Sequence, residues 1–151
     1  MKTFAKSGIL LFCFLFATNA YAATSCTVSA TGLNFGTYDV FSAFNTDSTG
    51  IITVSCTSPW PVVTISVGPS NSGGFNPRKM KNSSSTNTLN YNIFTDSAMS
   101  SIWGDGTSGT QTVIHSPNKK TVPETLYGRI PPGQDISAGL YIDTLTVTII
   151  W

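Results

Sequence analysis

Histidine and glutamate are almost missing from these 151 residues: His115 and Glu124 are the single copies, and Asp, Glu, Lys and Arg together make up only 10%. That scarcity removes whole classes of chemistry. The six aspartates are scattered, so no carboxylate pair for glycoside hydrolysis can be drawn from spacing, and Glu124 beside a strand reads as a solvated side chain. A Ser-His-Asp site would have to be built on His115 alone, and no nucleophile elbow accompanies the many serines. Asp105-Gly106-Thr107 lacks the ligand series of a calcium loop and reads as a turn. The expectation is a protein that is not an enzyme and carries no cofactor and no metal.

A charge excess of either sign is also absent. Outside the first 22 residues, Arg78, Lys79, Lys81, Lys119, Lys120 and Arg129 are balanced against seven carboxylates, which leaves no electrostatic footprint for nucleic acid and no polybasic membrane patch. Partners are therefore to be recognised by shape and hydrogen bonding. A run of about 20 apolar residues is lacking as well. The longest stretch, Gly8 to Ala17, follows Lys2 and Lys6 and precedes Ala20-Tyr21-Ala22, the pattern of a secretory signal with an A-x-A cleavage site. Residues 1–22 are read as that signal and residues 23–151 as one exported domain.

Cysteine is sparse. Cys13 would leave with the signal, so Cys26 and Cys56 remain. In an oxidising compartment such a pair is most simply a disulfide, stabilising by roughly 3 to 4 kcal/mol in the chain-entropy model. A metal-binding or reactive thiol would need a CxxC or clustered histidines, and neither is present.

No stretch holds a helical period for three turns. Short runs of Val, Ile, Thr and aromatics alternate instead with Gly, Ser, Asn and Pro clusters, which predicts an all-β antiparallel sandwich. Strands are expected over Cys26–Ala30, Asn34–Tyr38, Ile51–Thr57, Val62–Val67, Thr88–Phe94, Thr110–His115, Thr125–Ile130 and Leu140–Trp151. The faces expected to bury are Ile52, Val54 and Cys56, then Val63, Ile65 and Val67, then Leu89, Tyr91 and Ile93. Gly68 to Asn87 reads as a long polar hairpin arm ending in the flexible run Asn82 to Asn87. Trp60 and Trp103, near strand ends, are weighed between core packing and contact with a receptor.

The terminal run carries the strongest pattern. Tyr141, Leu145, Val147, Ile149 and Trp151 share one parity and Thr144, Thr146 and Thr148 the other, the period of a strand facing a core.

Several blocks in order resemble one family: Cys26-Thr27-Val28, Leu33-Asn34-Phe35-Gly36-Thr37-Tyr38, Ile52-Thr53-Val54-Ser55-Cys56, Tyr91 to Asp96, Trp103-Gly104-Asp105-Gly106, Tyr127 to Pro131 and Gly139 to Ile149. Together they resemble the spore coat protein U domain, a family that includes pilin subunits of archaic chaperone-usher pili. The resemblance implies an immunoglobulin-like sandwich lacking its last strand. It implies partners too: a periplasmic chaperone that lends a strand, an outer-membrane usher, and other pilus subunits that supply the replacement. By this resemblance Tyr141, Leu145, Val147, Ile149 and Trp151 line the groove that receives the strand.

A donor arm of about ten alternating residues would be needed to fill such a groove, and only Ala23, Thr24 and Ser25 stand between the expected cleavage site and Cys26. The expectation is a secreted structural or adhesive subunit of a chaperone-usher pilus or related coat, exported through the periplasm to the cell surface. It would accept a strand without giving one, which suits a tip or terminal position. A host or abiotic surface or a carbohydrate is a further candidate partner, and the alternative is a stand-alone lectin-like module that recognises carbohydrate through Trp60, Trp103 or the Gly68 to Asn87 arm.

Overall fold

The structure, a computed structural model, describes residues 23–57, 61–71, 73–116 and 120–151; the expected signal segment and Trp60 lie outside them. Among the described residues there are nine strands: β1 Cys26–Thr31, β2 Thr46–Cys56, β3 Val63–Val67, β4 Arg78–Asn82, β5 Thr88–Phe94, β6 Val113–His115, β7 Thr121–Ile130, β8 Tyr141–Ile142 and β9 Val147–Ile150. They form a six-stranded sheet ordered β1-β2-β7-β5-β4-β8 and a three-stranded sheet ordered β6-β3-β9. Every strand pair in both sheets is antiparallel.

The core follows the period-two pattern. Ile52, Val54 and Cys56 of β2 and Leu89, Tyr91 and Ile93 of β5, in the large sheet, and Val63, Ile65 and Val67 of β3, in the small one, are all buried. Leu126 and Ile130 from β7 and Met80 from β4 complete it. Each such aliphatic side chain contributes roughly 1.5 to 3 kcal/mol on burial.

Four expectations need correction, each for a physical reason. Asn34–Tyr38 is not a strand: the Asn34 side chain accepts from Gly36 N at 3.0 Å, and Gly36 takes a φ of +68°. Ser48 Oγ satisfies the backbone N–H and C=O of Asn34, at 3.1 and 2.8 Å, in place of a strand ladder. Leu33 and Phe35 still alternate inward, packed on the core. The supposed polar arm contains β4, whose inward residues are Arg78, Met80 and Asn82, so the buried face was hidden behind two polar side chains.

β7 begins at Thr121 rather than Thr125. Pro123 is tolerated because this part of β7 pairs with β2 and not with β5. Lastly, Leu140–Trp151 is not one strand. β8 pairs with β4 in the large sheet and β9 with β3 in the small one, so the segment between them crosses the sandwich.

That crossing is held by polar contacts. Asp143 Oδ1 accepts from Thr144 N at 2.9 Å, and Asp143 Oδ2 accepts from the Tyr91 hydroxyl at 2.8 Å. Gly68 N donates to Thr146 O at 2.8 Å. Nearby, Arg78 is fully buried, its guanidinium donating to the carbonyls of Val67, Gly68 and Trp103 at 3.2, 2.9 and 2.6 Å. Burial pushes the Arg78 pKa down, and the proximity of Tyr91 and Asp143 partly opposes this. Carbonyls at the Val67 end of β3 and at Trp103 are thus satisfied by a side chain.

Candidate functional site

β9 is an edge strand. It pairs with β3 on one side, and its other edge has no strand partner among the described residues. Its inward parity, Val147 and Ile149, continues that of Tyr141 and Leu145, and all four pack on the core while staying only partly buried. A strand facing a closed core would bury such side chains completely.

The opposite wall is β1, paired with β2 alone. In its register Val28 lies opposite Val54 and Ala30 opposite Ile52. Directly opposed residues of an antiparallel pair share a face. Val54 and Ile52 are 2% and 0% exposed, yet Val28 on the same face is 39% exposed. So the inward faces of β1 and β9 are both uncovered, and a slot of about 280 Å³ lies at their Ala30 and Val147 ends. Its floor is Ile52, Val67, Ile93 and Leu126; Leu33, Phe35, Tyr141 and Leu145 stand at its sides.

The two ends of the slot differ. At the Cys26 end, Trp151 Nε1 donates to Thr24 O at 3.3 Å, bridging the gap. At the Thr31 end, Leu33, Phe35, Met80, Tyr141 and Ile142 are shared with a larger trough of about 790 Å³.

The residues singled out in the sequence fall into separate places. Tyr141, Leu145 and Val147 line the slot, and Ile149 continues their face. Trp151 closes the far end and remains 51% exposed. Tyr141 belongs to β8 and donates its hydroxyl to Ser137 O at 2.9 Å. Cys26 and Cys56 form the disulfide, between directly paired residues of β1 and β2.

Trp103 is corrected to a core role. It is fully buried, with its indole N–H donated to Ile65 O at 3.1 Å, so it offers no surface to a receptor. Glu124 is not merely solvated: its Oε1 lies against His115 Nε2, bringing β7 beside β6. Asp105 Oδ1 accepts from Thr107 N and Thr107 Oγ1, at 2.9 and 2.6 Å, which makes that tripeptide a self-satisfied turn. Among the described residues no group of three or more His, Cys, Asp or Glu could hold a metal ion.

The other wall of the slot was not singled out from sequence. Val28, Leu33 and Phe35 lie inside the quoted motifs and Ala30 ends an expected strand, but only the tertiary arrangement turns them toward β9.

The class so defined is an antiparallel β-sandwich with an uncovered slot between two edge strands. The model of the Spore Coat Protein U domain matches residues 12–148. Protein U of Myxococcus xanthus is 37% identical over 127 residues, spanning 78% of this chain and 70% of that protein. The chain belongs to the Spore Coat Protein U domain family.

Among solved structures it is similar to a chain of the CsuC–CsuE chaperone–tip adhesion subunit pre-assembly complex, from the archaic chaperone-usher Csu pili of Acinetobacter baumannii. The TM-score is 0.62 at 22% identity, over 85% of this chain. The chain spans 40% of that chain's length. The minor tip subunit HdaB of the E. coli Hda pilus gives a TM-score of 0.44 at 14% identity, over 82% of this chain and 79% of that one. The fold is the immunoglobulin-like antiparallel sandwich expected from the sequence.

Proposed function

We propose that this chain is a secreted, non-catalytic structural or adhesive subunit of a chaperone-usher pilus or related surface coat, which accepts a donated strand in the slot beside β9. In this reading a periplasmic chaperone fills the slot first. At an outer-membrane usher another subunit then replaces it. The observation that carries the reading is the pair of uncovered inward faces, Val28 and Ala30 on β1 and Val147 and Ile149 on β9, with a slot at the Ala30 and Val147 ends of the two strands. A strand laid there would pair with the free edge of β9 and insert alternate side chains above Ile52 and Leu126.

Magnitudes favour dependence on the donor. Covering four or five apolar side chains at ~1.5 to 3 kcal/mol each gives a gross gain of order 10 kcal/mol. That is comparable with the whole stability of an ordinary domain, ~5 to 15 kcal/mol. The segment next to Cys26 supports an accepting role, and with it a place at an end of the fibre: Ser25 N donates to Thr57 Oγ1 and Thr57 N to Ser25 O, both at 2.9 Å, so this stretch is tied to its own domain. The lectin-like alternative loses Trp103 as a contact, since that side chain is interior.

The test is periplasmic expression with and without the cognate chaperone. Soluble chain recovered only as a one-to-one complex, and lost in Val147→Asp/Ile149→Asp, is the expected result. Abundant cooperative monomer without the chaperone would refute the reading.

A further inference from the structure

The most exposed large apolar side chains of the domain lie outside the slot. Phe41 is 94% exposed and Phe44 81%, both in the loop between β1 and β2. This loop is built to hold them out. Asp39 Oδ1 accepts from Phe41 N at 2.9 Å, Asp39 O from Ser42 N at 3.1 Å, and Ser42 Oγ from Phe44 N at 3.1 Å. A loop backbone fixed before binding loses little entropy when it is covered. Phe41 also forms one side of the trough that continues the slot, and Leu140, itself 64% exposed, lines the same trough.

Resting on the donor-strand reading, we infer that this rim is the seat for the folded body of the strand-donating subunit. The donor's chain leaves the slot at the Phe41 and Leu140 end. The other end is bridged by the Trp151 to Thr24 hydrogen bond, while this end opens without interruption into the trough. Area points the same way. A specific protein interface needs about 1,000 Å² or more in total, and one short strand in a slot leaves apolar rim uncovered. Two phenylalanines, at roughly 150 to 250 Å² each, supply a large share of the remainder. From Leu33 to Thr49 there is no Lys or Arg and only Asp39 and Asp47, so the surface meeting this rim is apolar, not acidic.

The experiment compares two probes on chaperone-held chain: an intact arm-bearing subunit of the same fibre, and a synthetic peptide of its arm alone. Phe41→Ser/Phe44→Ser should weaken binding of the intact subunit about tenfold and leave the peptide within about twofold of wild type. Because both side chains are exposed, the variant should melt like wild type when the slot is filled. Equal binding of the intact subunit by variant and wild type overturns the seat, as does an equal loss for subunit and peptide. Val147→Ala, which keeps an apolar side chain so that the chaperone complex can still be recovered, separates the two levels of argument. It should weaken binding of both probes alike, and if both still bind normally the donor-strand reading itself has failed.

Discussion

Tyr91 donates its hydroxyl hydrogen to Asp143 at 2.8 Å, fastening the middle of β5 to the point where the terminal segment leaves one sheet for the other. Burial, and then this bond to a carboxylate, raises the Tyr91 pKa well above its ordinary value of 10. The fold therefore favours the protonated phenol. Its contribution is complete below about pH 10 and is lost as pH rises above the unfolded-state pKa, at up to about 1.4 kcal/mol per pH unit. Denaturant melts of wild type and Tyr91→Phe with the slot filled should show the variant weaker by about 1 to 3 kcal/mol at neutral pH. The gap should close above pH 10. A gap constant with pH would mean that Tyr91 is not the titrating group.

The disulfide has an unusually specific task. β1 buries almost nothing: of its six residues only Cys26 is partly buried and the rest are exposed. Packing cannot hold this strand in place, so the Cys26–Cys56 bond and the β1–β2 ladder must. Cys26→Ser/Cys56→Ser should cost about 3 to 4 kcal/mol. In hydrogen exchange the loss of protection should be concentrated at residues 26–31. Uniform loss across β5 and β7 would instead mean that the bond supports the whole core.

Much of the sandwich was legible because its buried strands obey a strict period of two. Ile52, Val54 and Cys56 and their counterparts in β3 and β5 needed no tertiary information. β4 escaped notice because a guanidinium and an amide occupy two of its three inward positions, and only the carbonyls of Val67, Gly68 and Trp103 make Arg78 tolerable there. The terminal run kept its parity but not its continuity, since the break depends on Asp143 meeting Tyr91 from another strand. One wall of the slot was visible in Leu145, Val147 and Ile149. The other was not, because whether Val28 and Ala30 are covered depends on what lies beyond them.

Arg129 grips Asp47 with two bonds of 2.7 Å, from Nε to Oδ1 and from Nη2 to Oδ2, between residues paired across β2 and β7. The hydrogen bonds from Arg129 hold the Asp47 carboxyl below the usual carboxylate range. The contribution is thus present above the unfolded-state pKa of about 3.9 and lost as pH falls below it. Both side chains are at least a third exposed, so water and salt screen the pair. Arg129→Gln should cost less than about 1 kcal/mol at low salt. The difference should shrink in molar salt and at pH 2. A larger, salt-independent loss would assign Arg129 a packing role instead.

Gly128 controls the slot from beneath. It lies on the inward parity of β7 between Leu126 and Ile130, and a Cβ there would sit 2.6 Å from Leu33 Cδ1 and 2.8 Å from Phe35 Cζ. Leu33 and Phe35 line the slot, so a side chain at position 128 displaces them toward the space a donated strand would use. Gly74, with nothing within 4 Å of an added Cβ, is the control. Gly128→Val should cost about 1 to 3 kcal/mol by overpacking and reduce capture of the donor-arm peptide at least tenfold, whereas Gly74→Ala should bind as wild type does. If Gly128→Val loses stability but holds the peptide with unchanged affinity, Leu33 and Phe35 yield away from the slot, and the wall of the groove they form is softer than its close fit on Gly128 implies.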